Sequence, residues 1–169
     1  ILSYNPLEIT EYIKKRLGGH MGPIEINPYY EGFTGLIESV CPHKYLVRGC
    51  LEIISPKQVR ITELPIGTWT EDYKAFLENQ IENGKKSKKP VIKDYTDSST
   101  ESTIDFLVTF YPDNIHKLVN RGTEYGCNAL EKTLKLYTTL STSNMHLFTQ
   151  NESLKKYNDV NEIINDHYK

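Results

Sequence analysis

From Gly32 onward the sequence breaks into short runs rich in Ile, Val, Leu and Tyr, at roughly 33–40, 45–54 and 58–64, separated only by Cys41-Pro42-His43-Lys44 and Ser55-Pro56-Lys57. Parallel strands need crossovers of a dozen residues or more, so separators this short favour antiparallel pairing. A meander is therefore expected. After Leu64-Pro65 the apolar spacing turns helical, with Thr70 as N-cap, Glu71 and Asp72 in the first turn, Phe76, Leu77 and Ile81 on one side, and Gly84 at the end.

A short run Val91–Tyr95, a polar loop Thr96–Ser102 and the alternating strand Ile104–Phe110 come next. Pro112 and Asp113 open a short helix that closes before Gly122, and Leu134–Leu140 is a further strand candidate. From residue 58 the order is β-α-β-β-α-β, the split pattern of a ferredoxin-like unit. Upstream, Asn5 can cap a helix near 6–17, with Pro6 at its first position, Glu8 placed for a capping box and Gly18-Gly19 as its stop. His20 to Pro28 reads as an irregular connector, and Val160–Tyr168 as the start of a helix. The expected fold class is α+β: an N-terminal helix and antiparallel β meander over 1–57, a ferredoxin-like βαββαβ unit over 58–148, and a closing segment over 149–169, together one domain.

At 169 residues the chain is long enough for about one domain with a real core. Its 38% hydrophobic and 25% charged residues are those of an ordinary globular protein, and no stretch approaches the roughly 18 apolar residues of a membrane helix. No membrane partner is expected. Twenty basic against twenty-two acidic side chains leave −2, so any nucleic-acid contact must come from a local basic patch. Cys41, Cys50 and Cys127 form no C-x-x-C pair and suit a reducing compartment. The chain opens on Ile1 with no basic and apolar leader, and reads as a piece of something longer.

Few constellations carry chemistry. Gly84-Lys85 resembles the end of a P-loop, but Asn79 stands where the earlier glycine is required and the segment leaves a helix instead of entering one. Lys85, Lys86, Lys88 and Lys89 read as a solvated connector or as a phosphate-contacting loop. Cys41, His43 and Cys50 lack a fourth ligand for zinc, so no metal site is expected. Gly32-Phe33-Thr34-Gly35 has the G-x-x-G form of KH-type RNA binders, or simply permits a tight turn. Trp69 reads as a core anchor of the helix that follows it.

Several runs, in order along nearly the whole chain, resemble the DNA-cleavage region of type IIA DNA topoisomerases of the eukaryotic type. They are Asn5-Pro6-Leu7-Glu8-Ile9, the run from Tyr30 to Glu38, the run from Ile61 to Lys74, Lys135-Leu136 with Thr142-Ser143-Asn144-Met145, and Lys155-Lys156-Tyr157. The resemblance implies the tower domain, which supports the bent gate duplex, with 149–169 starting the connection to a coiled-coil arm. It implies a parent enzyme that uses ATP and Mg2+, works as a homodimer, and resides in the nucleus or at a viral replication site. In that family the nucleophilic tyrosine directly follows an arginine. None of the twelve tyrosines here does, so the nucleophile is expected upstream and the chain itself is expected to be a non-catalytic monomer without cofactors. Glu31 and Gly67 stand where family members often carry basic residues.

The partners so implied are double-stranded DNA and the remainder of the topoisomerase chain. Bending a duplex costs on the order of 1–6 kcal/mol over 20–30 base pairs, which cationic and hydroxyl contacts to phosphate offset without reading bases. The candidate DNA-binding residues are Lys93, Lys132, Lys135, Ser143, Asn144, Lys155 and Lys156. A free-standing ferredoxin-like or KH-like RNA-binding module is the competing reading and expects aromatics exposed on the sheet face. A pure interaction domain is the third.

Overall fold

Asn5 accepts a hydrogen bond from the Leu7 amide at 3.0 Å, and Pro6 opens the helix α1 (Pro6–Leu17), whose last turn carries Lys14, Lys15 and Arg16. The computed structural model describes residues 2–168. Four strands follow α1: β1 (Leu36–Cys41), β2 (Lys44–Arg48), β3 (Cys50–Ser55) and β4 (Gln58–Glu63). Next come α2 (Thr70–Lys86), β5 (Ile92–Asp97), β6 (Phe106–Phe110), α3 (Asn114–Val119) and α4 (Ala129–Thr133). The chain closes with β7 (Tyr137–Ser141), β8 (His146–Phe148), β9 (Leu154–Lys156) and α5 (Val160–His167). The strands form three sheets, in the orders β1-β2-β7, β3-β4-β6-β5 and β8-β9.

Two compact units emerge. One holds Phe33–Leu36 and Val47–Thr138. Its four-stranded sheet is antiparallel throughout, with Ser55 opposite Gln58, Val59 opposite Val108 and Tyr95 opposite Val108 from the other side. The two-residue period sends Val59 and Ile61 of β4, and Phe106, Val108 and Phe110 of β6, into the core. There they meet Tyr73 and Leu77 from α2, Ile115 from α3, and Leu130, Leu134 and Leu136. The opposite face carries the ion pair of Arg60 with Asp105, at 2.9 and 2.7 Å.

The mixed α+β class with antiparallel sheets is as expected, but the ferredoxin-like unit over 58–148 is not formed. Strands β4, β5 and β6 take the places of its first three strands. The fourth place, beside β4, is filled by β3, and β7 joins β1 and β2 instead. The reason is local. Pro56 and Lys57 close β3 onto β4 within a tight turn, so the neighbouring site is occupied by residues adjacent in sequence before a distant strand can return to it.

The expected strand over 45–54 is two strands, divided at Gly49, and the expected continuous meander is not formed: β1 and β2 belong to one sheet, β3 and β4 to another. A Cβ at Gly49 would collide with the Glu63 carbonyl oxygen, so only glycine lets the chain pass there. Trp69 is not a core anchor. It stands one helical turn before Tyr73, but its backbone is extended (φ −81°, ψ 146°), which takes the side chain off the buried stripe and leaves it 74% exposed. Asn128 and Glu131 form a full capping box on α4, a helix the apolar spacing did not announce.

The other unit holds the described residues up to Gly32, Ile37–Leu46, and those from Thr139 onward. Tyr12, Ile26 and Ile164 make its core, with Tyr4, Ile9, Ile13, Ile24 and Val160 against them. The Tyr12 hydroxyl donates to Asn165 Oδ1 at 3.0 Å and accepts from the Arg16 guanidinium at 3.1 and 3.0 Å, tying α1 to α5. The Asn161 amide nitrogen donates to the Ile24 carbonyl at 3.0 Å.

Candidate nucleic-acid interface

Pro42 and His43 form the turn between β1 and β2, with His43 at φ 64°, as a turn with proline before a positive-φ position requires. The His43 carbonyl accepts the Thr142 amide at 2.8 Å, and the Met145 carbonyl accepts the Tyr157 amide at 2.7 Å. Thr142, Met145 and Tyr157 are buried, so Ser143 and Asn144 between them are turned outward. The Ser143 hydroxyl lies 2.8 Å from that of Ser141. Around it His43, Ser143, Lys156, Tyr157 and Asn158 line a concavity of about 100 Å³. Hydroxyl, amide, imidazole and ammonium groups on one small surface suit an oxyanion such as a phosphate, with no provision for reading a base.

Lys155 is the immediate neighbour of Lys156 but points the other way, as successive residues of a strand must. Its ammonium lies 3.3 Å from Glu162 and 3.5 Å from Asp166, above the Tyr157 ring at 4.6 Å. The Glu162 carboxylate raises the Lys155 pKa. Glu162 is held down chiefly by the Asn158 amide, and Asp166 by the Tyr157 hydroxyl at 2.7 Å.

In the other unit Lys132 is paired with Glu124 at 3.1 Å, and Lys135, just past α4 at φ 49°, has its ammonium 4.5 Å from the Phe76 ring centre. Lys93 is exposed on β5, an edge strand of the four-stranded sheet. Of the seven candidates, the structure thus sets Ser143 and Lys156 around one concavity with Asn144 beside Ser143, turns Lys155 to α5, pairs Lys132 with Glu124, lays Lys135 over Phe76 and leaves Lys93 on an edge strand. His43 and Asn158 belong to the same surface and were not anticipated. The Pro42-His43 pair was the signal available for His43, since it marks a turn that projects its second residue. Among the described residues no group of three His, Cys, Asp or Glu side chains is placed to hold a metal ion, and no helix is long and apolar enough to cross a membrane. The sheet aromatics that an RNA-stacking module would display, Phe106 and Phe110, are enclosed in the core.

The family model for the A-type chain of DNA gyrase/topoisomerase IV matches residues 1–169. DNA topoisomerase 2 of Drosophila melanogaster is 33% identical over 170 residues, covering 100% of this chain and 11% of the relative. DNA topoisomerase 2 of Pisum sativum is 36% identical over 169 residues, covering 99% and 11%. DNA topoisomerase 2-alpha of Homo sapiens is 31% identical over 168 residues, covering 99% and 10%. The crystal structure of the Plasmodium falciparum topoisomerase II DNA-binding, cleavage and re-ligation domain superposes with a TM-score of 0.86 at 35% identity, over 98% of this chain and 21% of that one. The chain spans about a tenth of the length of the curated relatives it matches.

Proposed function

The chain belongs to the DNA gyrase/topoisomerase IV family of A-type chains, as part of the DNA-binding and cleavage region of type II topoisomerases, and from that premise we propose that it is the tower domain, a non-catalytic shoulder for the bent gate duplex. The observation that carries this reading is the meeting of Ser143, Lys156, His43 and Asn158 around one small concavity, with Asn144 alongside. Such a surface grips phosphate without sequence preference. Lys93, Lys132, Lys135 and Lys155 are the further contacts of the same reading. The ion pairs of Lys132 and Lys155 are exposed and screened by solvent, so a phosphate can draw these ammonium groups away from their carboxylates.

The longer enzyme, in this reading, breaks both strands of one duplex, passes another through and reseals the break, using ATP and Mg2+, as a homodimer in the nucleus or at a viral replication site. The described residues of this chain offer no cluster fitted to a divalent cation. No step of that reaction is assigned to them.

A salt titration of fluorescence anisotropy on labelled duplex DNA tests the proposal. Binding should be weak, insensitive to sequence, and fall steeply as salt rises, because each neutralised phosphate releases counterions. Binding that persists unchanged at high salt, or that prefers single-stranded RNA, would overturn it.

A further inference from the structure

Strands β8 and β9 pair with His146 opposite Lys156, Leu147 opposite Lys155, and Phe148 opposite Leu154. Residues opposite one another in an antiparallel pair share a face, and residues two apart along a strand share it too. His146, Phe148, Leu154 and Lys156 therefore make one face of the ribbon, and Leu147 and Lys155 the other. The second face is committed, through Lys155, to Glu162 and Asp166 of α5. The first is open: Phe148 and Leu154 are each 64% exposed, side by side.

A two-stranded ribbon is marginal by itself and needs support. Here the turn is closed by the Thr149 amide on the Ser153 carbonyl at 2.9 Å, the two hydroxyls of the same residues at 2.8 Å, and the Glu152 amide on the Thr149 carbonyl at 3.0 Å. Its base is held by the Tyr157 amide on Met145. The apolar pair is thus presented on a braced element.

We propose that this open face is a second DNA contact, with Phe148 and Leu154 packed on deoxyribose and His146 and Lys156 on the flanking phosphates. The proposal rests on the duplex-supporting reading above and extends it from the Ser143 concavity along the ribbon, since Lys156 belongs to both. Charge selects the occupant. None of the four side chains is acidic, and the carboxylates of α5 are drawn to the opposite face by Lys155. An anionic partner with an apolar component is required, and a sugar–phosphate strand alternates these two characters at the scale of the ribbon, whose rungs on one face repeat at about 7 Å. A second copy meeting this face with its own would bring like-charged Lys156 side chains into one contact, which a polyanion does not.

The two halves of the face act differently, which makes the proposal testable by anisotropy on duplex DNA across a range of salt. Lys156→Gln should lower the slope of log affinity against log salt by about one. The double variant Phe148→Ser with Leu154→Ser should weaken binding about tenfold at every salt concentration and leave the slope unchanged, as loss of apolar burial dictates. Both residues are exposed, so thermal melts of the variants should match the unaltered chain. Unchanged duplex affinity of the double variant would overturn the proposal. So would a self-associated chain, seen by sedimentation, that the double variant renders monomeric. If the unaltered chain bound no duplex at all, the tower reading would fall together with this one, an outcome separate from the first two.

Discussion

Arg48 and Glu131 meet at 2.6 Å, and the second oxygen of Glu131 accepts the Asn128 amide at 2.9 Å, so one carboxylate both pairs a strand residue and caps α4. The Glu131 side chain is only 10% exposed. Glu131→Ala removes the carboxylate from the Arg48 guanidinium and takes away the acceptor of the Asn128 amide, while the Asn128 side chain still caps the helix, and should destabilise the chain by about 2–3 kcal/mol. Glu131→Gln, which can still cap, should cost less. Urea denaturation of both variants measures the difference.

Gly49→Ala should be poorly tolerated, because the added methyl runs into the Glu63 carbonyl oxygen, a backbone atom that cannot swing aside. A loss of about 1–3 kcal/mol is expected from such overpacking. The thermal midpoint is the readout, with Gly122→Ala as a control, since nothing lies near its position.

Acid should weaken the chain through Asp97. The Lys74 ammonium at 2.9 Å, followed by the Ser99 amide, holds its pKa at about 2 against an ordinary 3.8. A depressed native pKa contributes stability that is complete above the unfolded value and is lost as the pH falls through the native one. Denaturation free energy should therefore decline between about pH 4 and pH 2, and Asp97→Asn should flatten that decline.

Alkali acts with the opposite sign. Burial, with Tyr45, Tyr30 and Asp159 adding to it, pushes Tyr4 up to about 12 from 10.0. A raised native pKa contributes stability that is complete below the unfolded value and is lost as the pH climbs through the native one. An ultraviolet phenolate titration of Tyr4→Phe against the unaltered chain should show the missing late-titrating tyrosine.

Neighbouring lysines should separate functionally. Lys155→Gln removes an ammonium held by Glu162 and Asp166, so its effect on the salt dependence of DNA binding should be smaller than that of Lys156→Gln. Parallel anisotropy titrations of the two variants decide this.

Where local chemistry sufficed, the residues announced their structure. Asn5, Pro6 and the Gly18-Gly19 stop bracket α1 because a cap, a pre-set φ and a break in helix propensity are each properties of single residues. The antiparallel arrangement of β3 and β4 followed from a separator too short for anything else. The partner of β7 did not, since nothing within a strand says which sheet it will join. The strands β8 and β9, at three residues each, are too short for their alternation to repeat, and α4, at five, shows in the sequence only through its Asn128–Glu131 capping box.

The site divides the same way. Ser143, Asn144 and Lys156 were identifiable by residue type and neighbourhood, but the contrast between Lys155 and Lys156 depends on a strand face that was not assigned beforehand. Trp69 shows the converse. Its spacing from Tyr73 is that of a buried stripe, and only the extended backbone at the cap releases it.

Because β3, through its hairpin with β4, completes the four-stranded sheet, every buried member of that sheet's core lies between Val59 and Leu136, with Leu51 of β3 packed against them. Synthesis on the ribosome proceeds from the N-terminus. Every residue this core needs is thus joined to the polypeptide before the first residue of β7 is added, and the make-up of the sheet's interior owes nothing to the ribbon that follows.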